Sequence, residues 1–361
     1  IEVNDAIPSE VAYSPNSFVE TKGTAMTDVT PTYNGGTVTS WAIHPALPSG
    51  LSIDATTGEI SGNPTILSTL TTYTVYANNT GGTATTTIDV TVNDIIPSSI
   101  TYSSNSFVET KGTPMSTGIP TVGGGPVVSW TINPSLPSGL DIDVSTGEIS
   151  GTPSALSTLI TYTITATNTG GFTTTTIDIT VNDIIPSSVS YVPDTYTFTK
   201  GTSESTSTPS ANGGPVVSWE IHPTLPNGLS IDSSTGQISG TPTAISIIQT
   251  YTVYANNSGG SATTTIDITV NDIIPSLVTY SSSDFVETRD SAMTTGVPTA
   301  SGGPVITWSI TPALPAGLDI DAISGEISGT PSVNSALTTY TVTATNSGGS
   351  ATTAIDITVN D

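Results

Sequence analysis

The sequence predicts an all-β protein built as four antiparallel β-sandwiches in a linear tandem array. Three observations carry this. Marker residues return every 89 positions (Trp41, Trp130, Trp219 and Trp308; Asn93, Asn182, Asn271 and Asn360) without insertion or deletion. Within each copy apolar and polar residues alternate with period two, the pattern of half-buried strands. Gly, Pro, Thr and Ser are abundant, and no apolar period of helical spacing runs for a useful length.

Within one copy, Gly35-Gly36 marks a turn before a strand in which Thr39, Trp41 and Ile43 share a face, with Val128, Val217 and Ile306 standing where Thr39 does. Next comes the phrase LPSGLSIDATTGEISGNPT, Leu47 to Thr65, repeated almost word for word in every copy. Leu51 and Ile53 point into a core; Asp54 opens a turn that Gly58 closes, its carboxylate accepting backbone N–H groups while glycine tolerates positive φ. Asp143 and Gly147, Asp232 and Gly236, and Asp321 and Gly325 hold the same places. Ile60 returns to the core, and Gly62 with Pro64 ends that strand. Tyr73 (with Tyr162, Tyr251 and Tyr340), Val75 and Ala77 form an inward face. After the turn Asn79-Thr80-Gly81-Gly82, Ile88, Val90 and Val92 alternate with Asp89, Thr91 and Asn93. Six or seven short strands per 89 residues describe a sandwich.

LPxGLxID followed by TGEISGTP resembles the Putative Ig domain repeats of bacterial and archaeal surface proteins, relatives of the cadherin-like domain of dystroglycan. YTVTATNSGG, Tyr340 to Gly349, is similar to strand F and the following turn of immunoglobulin domains, with Val342 where those carry Cys. The resemblance covers most of every copy. It implies Ig-like, cadherin-like sandwiches with the four Trp and four Tyr in the cores, and an extracellular structural or adhesive role. The copies are then 1–94 (with 1–5 the tail strand of a preceding unit), 95–183, 184–272 and 273–361. The opening IEVND matches the tail of a missing copy, so the chain reads as a slice of a longer array.

Composition narrows the function. The chain holds 29 acids against 4 bases, a net charge of −25. Such self-repulsion keeps a protein soluble and opposes nucleic acid or anionic lipid as partners. No apolar run approaches the roughly 20 residues of a membrane span. Without cysteine there are no disulfides, which leans toward a prokaryotic source. His44 and His222 share a slot that Asn133 and Thr311 fill elsewhere, so no repeated Ser-His-acid constellation exists and an enzyme is not expected. No cofactor is expected apart from calcium. Cadherin joints read DxNDNxP, whereas this joint reads Thr91-Val92-Asn93-Asp94-Ile95-Ile96-Pro97; Asn93 and Asp94, Asn182 and Asp183, Asn271 and Asp272 are the candidate ligands, with Glu20 and Glu59 as further donors. The other reading has Asn-Asp capping the strand while Ile95-Ile96 packs on the next unit. Lys22, Lys111, Lys200 and Arg289 fall in one register, suggesting an ion pair with a local acid such as Glu20 or Asp54. Asn78 and Asn256 begin glycosylation sequons.

The expectation is a non-catalytic stalk or spacer of a cell-surface adhesin or filament. Each unit would be roughly 35–40 Å long and the array roughly 150 Å. Its partners are neighbouring repeats and other copies of itself. Two alternatives stand beside it: a filament subunit whose Ile1-Glu2-Val3 completes a neighbour's sheet, and a calcium-dependent module binding glycan or protein.

Overall fold

The computed structural model describes residues 5–361, so the expectation placed on Ile1-Glu2-Val3 lies outside the described residues. The described residues contain strands and no helix. The chain divides into two compact units, Ile1–Asn182 and Asp183–Asp361, each holding two repeats.

The first repeat is built from β1 (Pro8–Ala12), β2 (Ser17–Thr21), β3 (Thr32–Gly35), β4 (Ser40–His44), β5 (Leu51–Ile53), β6 (Ile60–Gly62), β7 (Ser68–Asn79) and β8 (Gly82–Asn93). One sheet has the order β2-β8-β7-β4. The long β7–β8 hairpin is its spine, with Tyr73 opposite Ile88 and Ala77 opposite Ala84. The facing layer is made from the pairs β1–β3 and β5–β6, tied to the loop before β3 by a bridge between Val29 and Ile60. Later copies extend this layer with a two-residue strand (Met115–Ser116, Glu204–Ser205, Met293–Thr294) on the counterpart of β6.

The pairing departs from antiparallel at one place in every copy. β2 runs parallel to β8, Ser17 opposite Asp89 through Thr21 opposite Asn93. The cause is local. A turn at Tyr13–Asn16 splits the N-terminal segment between the two layers, so β1 joins β3 and β2 crosses to the free edge of β8. The same five-residue parallel ladder recurs at Ser106–Thr110, Thr195–Thr199 and Asp284–Thr288.

Period two holds along β7 and β8, and their inward residues Tyr73, Val75, Ala77, Ile88, Val90 and Val92 are fully buried. It fails at the entry to β4. Val128, Val217 and Ile306, expected on the Trp face, are exposed at 66%, 68% and 57%. The reason is that the residue before them turns inward: Val38 is buried, and the N–H of Thr39 donates to Asn78 O at 2.8 Å just outside the β4 ladder.

The recurring phrase closes over the Trp. Asp54 Oδ1 accepts the N–H groups of Thr56 and Thr57 at 2.7 and 2.8 Å, and Gly58 N donates to Asp54 O at 2.9 Å. This turn lays Gly58, at φ +73°, flat on the Trp41 ring, where a Cβ would sit 2.5 Å from the indole. Tyr13 Oη then donates to Gly58 O at 2.6 Å. Gly147, Gly236 and Gly325 sit the same way on Trp130, Trp219 and Trp308, and Tyr102, Tyr191 and Tyr280 bond to their carbonyls.

A methyl group at this position must both adopt positive φ and push the indole aside, a cost of about 2 kcal/mol or more. Gly325→Ala should therefore shift roughly one quarter of the calorimetric unfolding enthalpy to lower temperature, because only one of four cores is weakened. A single unchanged transition would count against the Gly–Trp contact.

Candidate functional site

The joint between two repeats is the place where residues from different copies meet. In the first unit, β8 ends at Asn93, whose carbonyl accepts Lys22 N–H at 2.8 Å. The next residue already belongs to the second repeat: Asp94 N–H donates to Thr169 Oγ1 at 2.9 Å. Asn168 clasps the segment beyond Asp94. Its Nδ2 donates to Ile95 O at 2.7 Å and Pro126 O at 3.0 Å, while its Oδ1 accepts Gly170 and Gly171 N–H. Gly170 is packed so closely on the incoming chain that a Cβ would lie 2.1 Å from Asp94 O. In the second unit Lys200 N–H donates to Asn271 O, Asp272 N–H to Ser347 Oγ, and Asn346 Nδ2 to Ile273 O, at 2.8, 2.9 and 2.8 Å. At both joints the last paired residue of one sandwich is followed directly by the first anchored residue of the next. Ile96 leans on Gly171, yet Ile95 and Ile96 remain about half exposed, at 49% and 52%. The Asn clasp escaped the sequence reading, although an unchanging Asn-x-Gly-Gly in every copy was a signal for it.

Calcium takes roughly six to eight oxygens. Among the described residues no three His, Cys, Asp or Glu side chains gather to surround an ion. Asn93, Asp94, Asn182, Asp183, Asn271 and Asp272 lie where strands end, and the three Asp residues are buried. Glu20 stands opposite Val92, close to this end. Glu59 follows Gly58 beside Trp41, which is level with Ala77 and Ala84; that is nine residues up β8 from Asn93, about 30 Å. Glu59 thus stands apart from the acids of the joint.

A basic side chain stands there instead. Lys200 Nζ lies 3.7 Å from the carboxylate of Asp272, whose side chain is only 8% exposed. Arg289 Nη2 lies 3.2 Å from Asp361, the residue in the same register one repeat on, and its Nε 3.5 Å from Asp290. Lys22 and Lys111 occupy the same position, their N–H groups donating to Asn93 and Asn182 O. In the third and fourth repeats the base therefore meets the Asp at the strand end, and not the counterparts of Glu20 and Asp54 expected to pair with it. Asp272 and Asp361 meet their bases because the counterparts there of the parallel β2–β8 pairing, which sequence cannot disclose, bring the ends of the two strands side by side. Asp54 is occupied in its own turn.

The sheet faces divide the copies into two kinds. Trp41, Trp130, Trp219, Trp308, Tyr73, Tyr162, Tyr251 and Tyr340 are buried in the cores. Tyr76 and Tyr254, three residues on from the buried tyrosines, fall on the outer face beside β4 and its counterpart. Tyr254 meets His222 edge-on with centroids 5.7 Å apart. Thr165 and Thr343 replace these tyrosines in the even copies. Parity along β7 was the available signal for the outward tyrosines. The Asn78 carboxamide accepts Thr83 Oγ1 at 2.6 Å, and Asn256 accepts Ser261 Oγ at 2.5 Å. Their sequon hydroxyls are engaged by the incoming chain, Thr80 donating to the Asp5 carboxylate and Ser258 accepting Asp183 N–H.

These geometries define a tandem array of immunoglobulin-type sandwiches, and the chain belongs to the Putative Ig domain family, whose model matches residues 3–93, 97–182, 179–271 and 275–360. The "Serine-rich adhesin for platelets" of Staphylococcus aureus is 35% identical over 130 residues, covering 36% of this chain and 10% of that protein in strain MRSA252 and 6% in strain MSSA476. The chain thus spans a tenth or less of the length of these relatives. Among solved structures, an I-band fragment of titin covers 75% of this chain and 99% of its own at 15% identity and TM-score 0.36. The extracellular domain of Protocadherin GammaB4 covers 100% of this chain and 68% of its own at 16% identity and TM-score 0.26. Such scores are too low to define a shared arrangement, and the fold stands on the sheet pairing and the family match.

The turn acids and buried tyrosines set the pH limits of the cores. Hydrogen bonds from the Ser145 side chain and the Thr146 and Ser145 backbone hold Asp143 down at about 2, and those from Ser234 and Thr235 do the same for Asp232. Asp54 and Asp321 are lowered by the backbone N–H groups of their turns. Burial pushes Tyr102 and Tyr280 up to about 12 and raises Tyr13 and Tyr191. A depressed carboxyl contributes stability that is complete above its unfolded value of roughly 3.9 and is lost as pH falls toward about 2. A raised phenol contributes stability that is complete below roughly 10 and is lost as pH rises through about 12. Melting temperature against pH should show both limbs; Asp143→Asn should flatten the acid limb, and Tyr102→Phe the alkaline one, only in the quarter of the unfolding transition that belongs to the second repeat. Unchanged limbs would contradict these assignments.

Proposed function

We propose that the chain is a non-catalytic, tension-resisting spacer in an extracellular, cell-surface adhesin or filament. The observation that carries this is the parallel β2–β8 ladder. Tension along the chain enters a repeat ahead of β2 and leaves after β8. Because the strands are parallel, it pulls them in opposite senses along their length and loads the whole ladder in shear. An antiparallel terminal pair would instead open one bond at a time. The likeness to staphylococcal adhesins supports the surface setting, and the acidic balance suits an unaggregated spacer. Among the described residues no helix is long and apolar enough to cross a membrane. Pulled in a force spectrometer, the chain should yield four similar unfolding events, each releasing about 300 Å of contour. A proline at Val19 or at Glu20, one of which must supply a ladder N–H, should lower the force of one event only. Four weak events insensitive to both substitutions would refute the shear-bearing role.

A second reading is favoured by the outward Tyr76 and the His222–Tyr254 pair. Flat aromatic rings beside hydrogen-bonding side chains suit a saccharide, which would bind the first and third repeats. Glycan-array binding lost in Tyr254→Ala supports it; an array silent with and without calcium removes it.

A further inference from the structure

We infer that an in-chain cation, not a divalent metal, neutralises the junction carboxylate, so that the joint between the third and fourth repeats closes without calcium. The inference rests on the spacer reading and names what governs its joints. Asp272 is the first residue beyond the Asn271 strand end, its backbone is fixed by Ser347, and its side chain is almost wholly buried. An ionised carboxylate so placed gains from a counter-charge; Asp94 and Asp183 are as buried, but no ion pair reaches them among the described residues, so the inference concerns this joint alone. Among the described residues no group of three His, Cys, Asp or Glu side chains gathers here to share a calcium ion, and Glu204, the acid on this side of the cleft, is engaged by the N–H of Thr199 at 2.8 Å. The Lys200 ammonium is the charge within reach, and its own backbone N–H is pinned to Asn271 O, one residue from the carboxylate it serves. Arg289 meets Asp361 in the same register with a different base, there on exposed side chains, so the position carries positive charge rather than one side chain. A bidentate metal-binding acid here would have to displace that base. A cleft lined by Thr199 and Thr202 on one side and Ile273 and Gly348 on the other opens beside the pair, leaving the two repeats room to swing apart when the charge is removed.

The chain has no native cysteine, so spin labels can be placed uniquely at Thr265→Cys and Thr352→Cys in the full chain. Double electron–electron resonance then reads the width of the distance distribution across the joint. The expected result is a width identical in millimolar calcium and in chelator. Lys200→Met should broaden it by about 1.5-fold, calcium should not restore it, and Lys200→Arg should keep it narrow. Adding Asp272→Asn to Lys200→Met should narrow it again, since a neutral side chain needs no counter-charge. Narrowing of the unaltered chain by calcium, or indifference to Lys200→Met, would overturn the inference. Circular-dichroism melting of each variant checks that the sandwiches stay folded. Force spectroscopy tests the spacer reading separately, because sandwich unfolding does not depend on the joint.

Discussion

The packing of one glycine against one tryptophan face organises each repeat. Gly58 can lie on Trp41 only because the Asp54 turn delivers it there at positive φ, and the same turn frees the Gly58 carbonyl for the Tyr13 hydroxyl. That hydroxyl comes from the N-terminal segment, the indole from β4, and the glycine from the β5–β6 connection, so one cluster fastens both layers of the sandwich. Pro31 closes on the same spot. Without cysteine, this cluster is what pins the layers together. The near-verbatim recurrence of the phrase therefore reflects a shape that tolerates few residues, not a chemical site.

Much of this was legible in the sequence, and the exceptions have a common cause. The Asp–Gly turn, the buried Trp and Tyr, and the β7–β8 alternation are local, governed by residues within a few positions of each other. The exposed Val128, Val217 and Ile306 were misplaced because alternation is reliable only inside a ladder, and they stand just before one. The partner of Lys200 lies 72 residues away in sequence; it becomes a neighbour only through the parallel pairing of the first and last sheet strands. Outward Tyr254 was readable from its odd spacing to Tyr251 but is overshadowed by its buried neighbour.

The surface chemistry is shaped by a shortage of cations. Acids outnumber bases seven to one, and the bases of the third and fourth repeats stand where a carboxylate is exposed to the least water or where the next copy's register begins. Elsewhere acids are held by hydroxyls: Asp89, Asp178, Asp267 and Asp356 on the outer faces each accept a cross-strand threonine at 2.5–2.6 Å. Threonine thus serves both as a strand former and as a neutral partner for charge. The sandwiches keep a polar exterior without needing lysine.

The joint without a spare residue also bears on heredity. Where strand end and clasp are adjacent positions, adding or deleting one amino acid would misplace either the parallel ladder or the Asn clasp. The array can change length only by whole periods, as the unbroken spacing of 89 records. Copies this alike invite unequal exchange between their coding segments, and the alternation of tyrosine-bearing and threonine-bearing faces means that an exchange preserving the pattern must move two repeats at once. The length of the array would then be a quantity that recombination adjusts in discrete steps, without redesigning any sandwich.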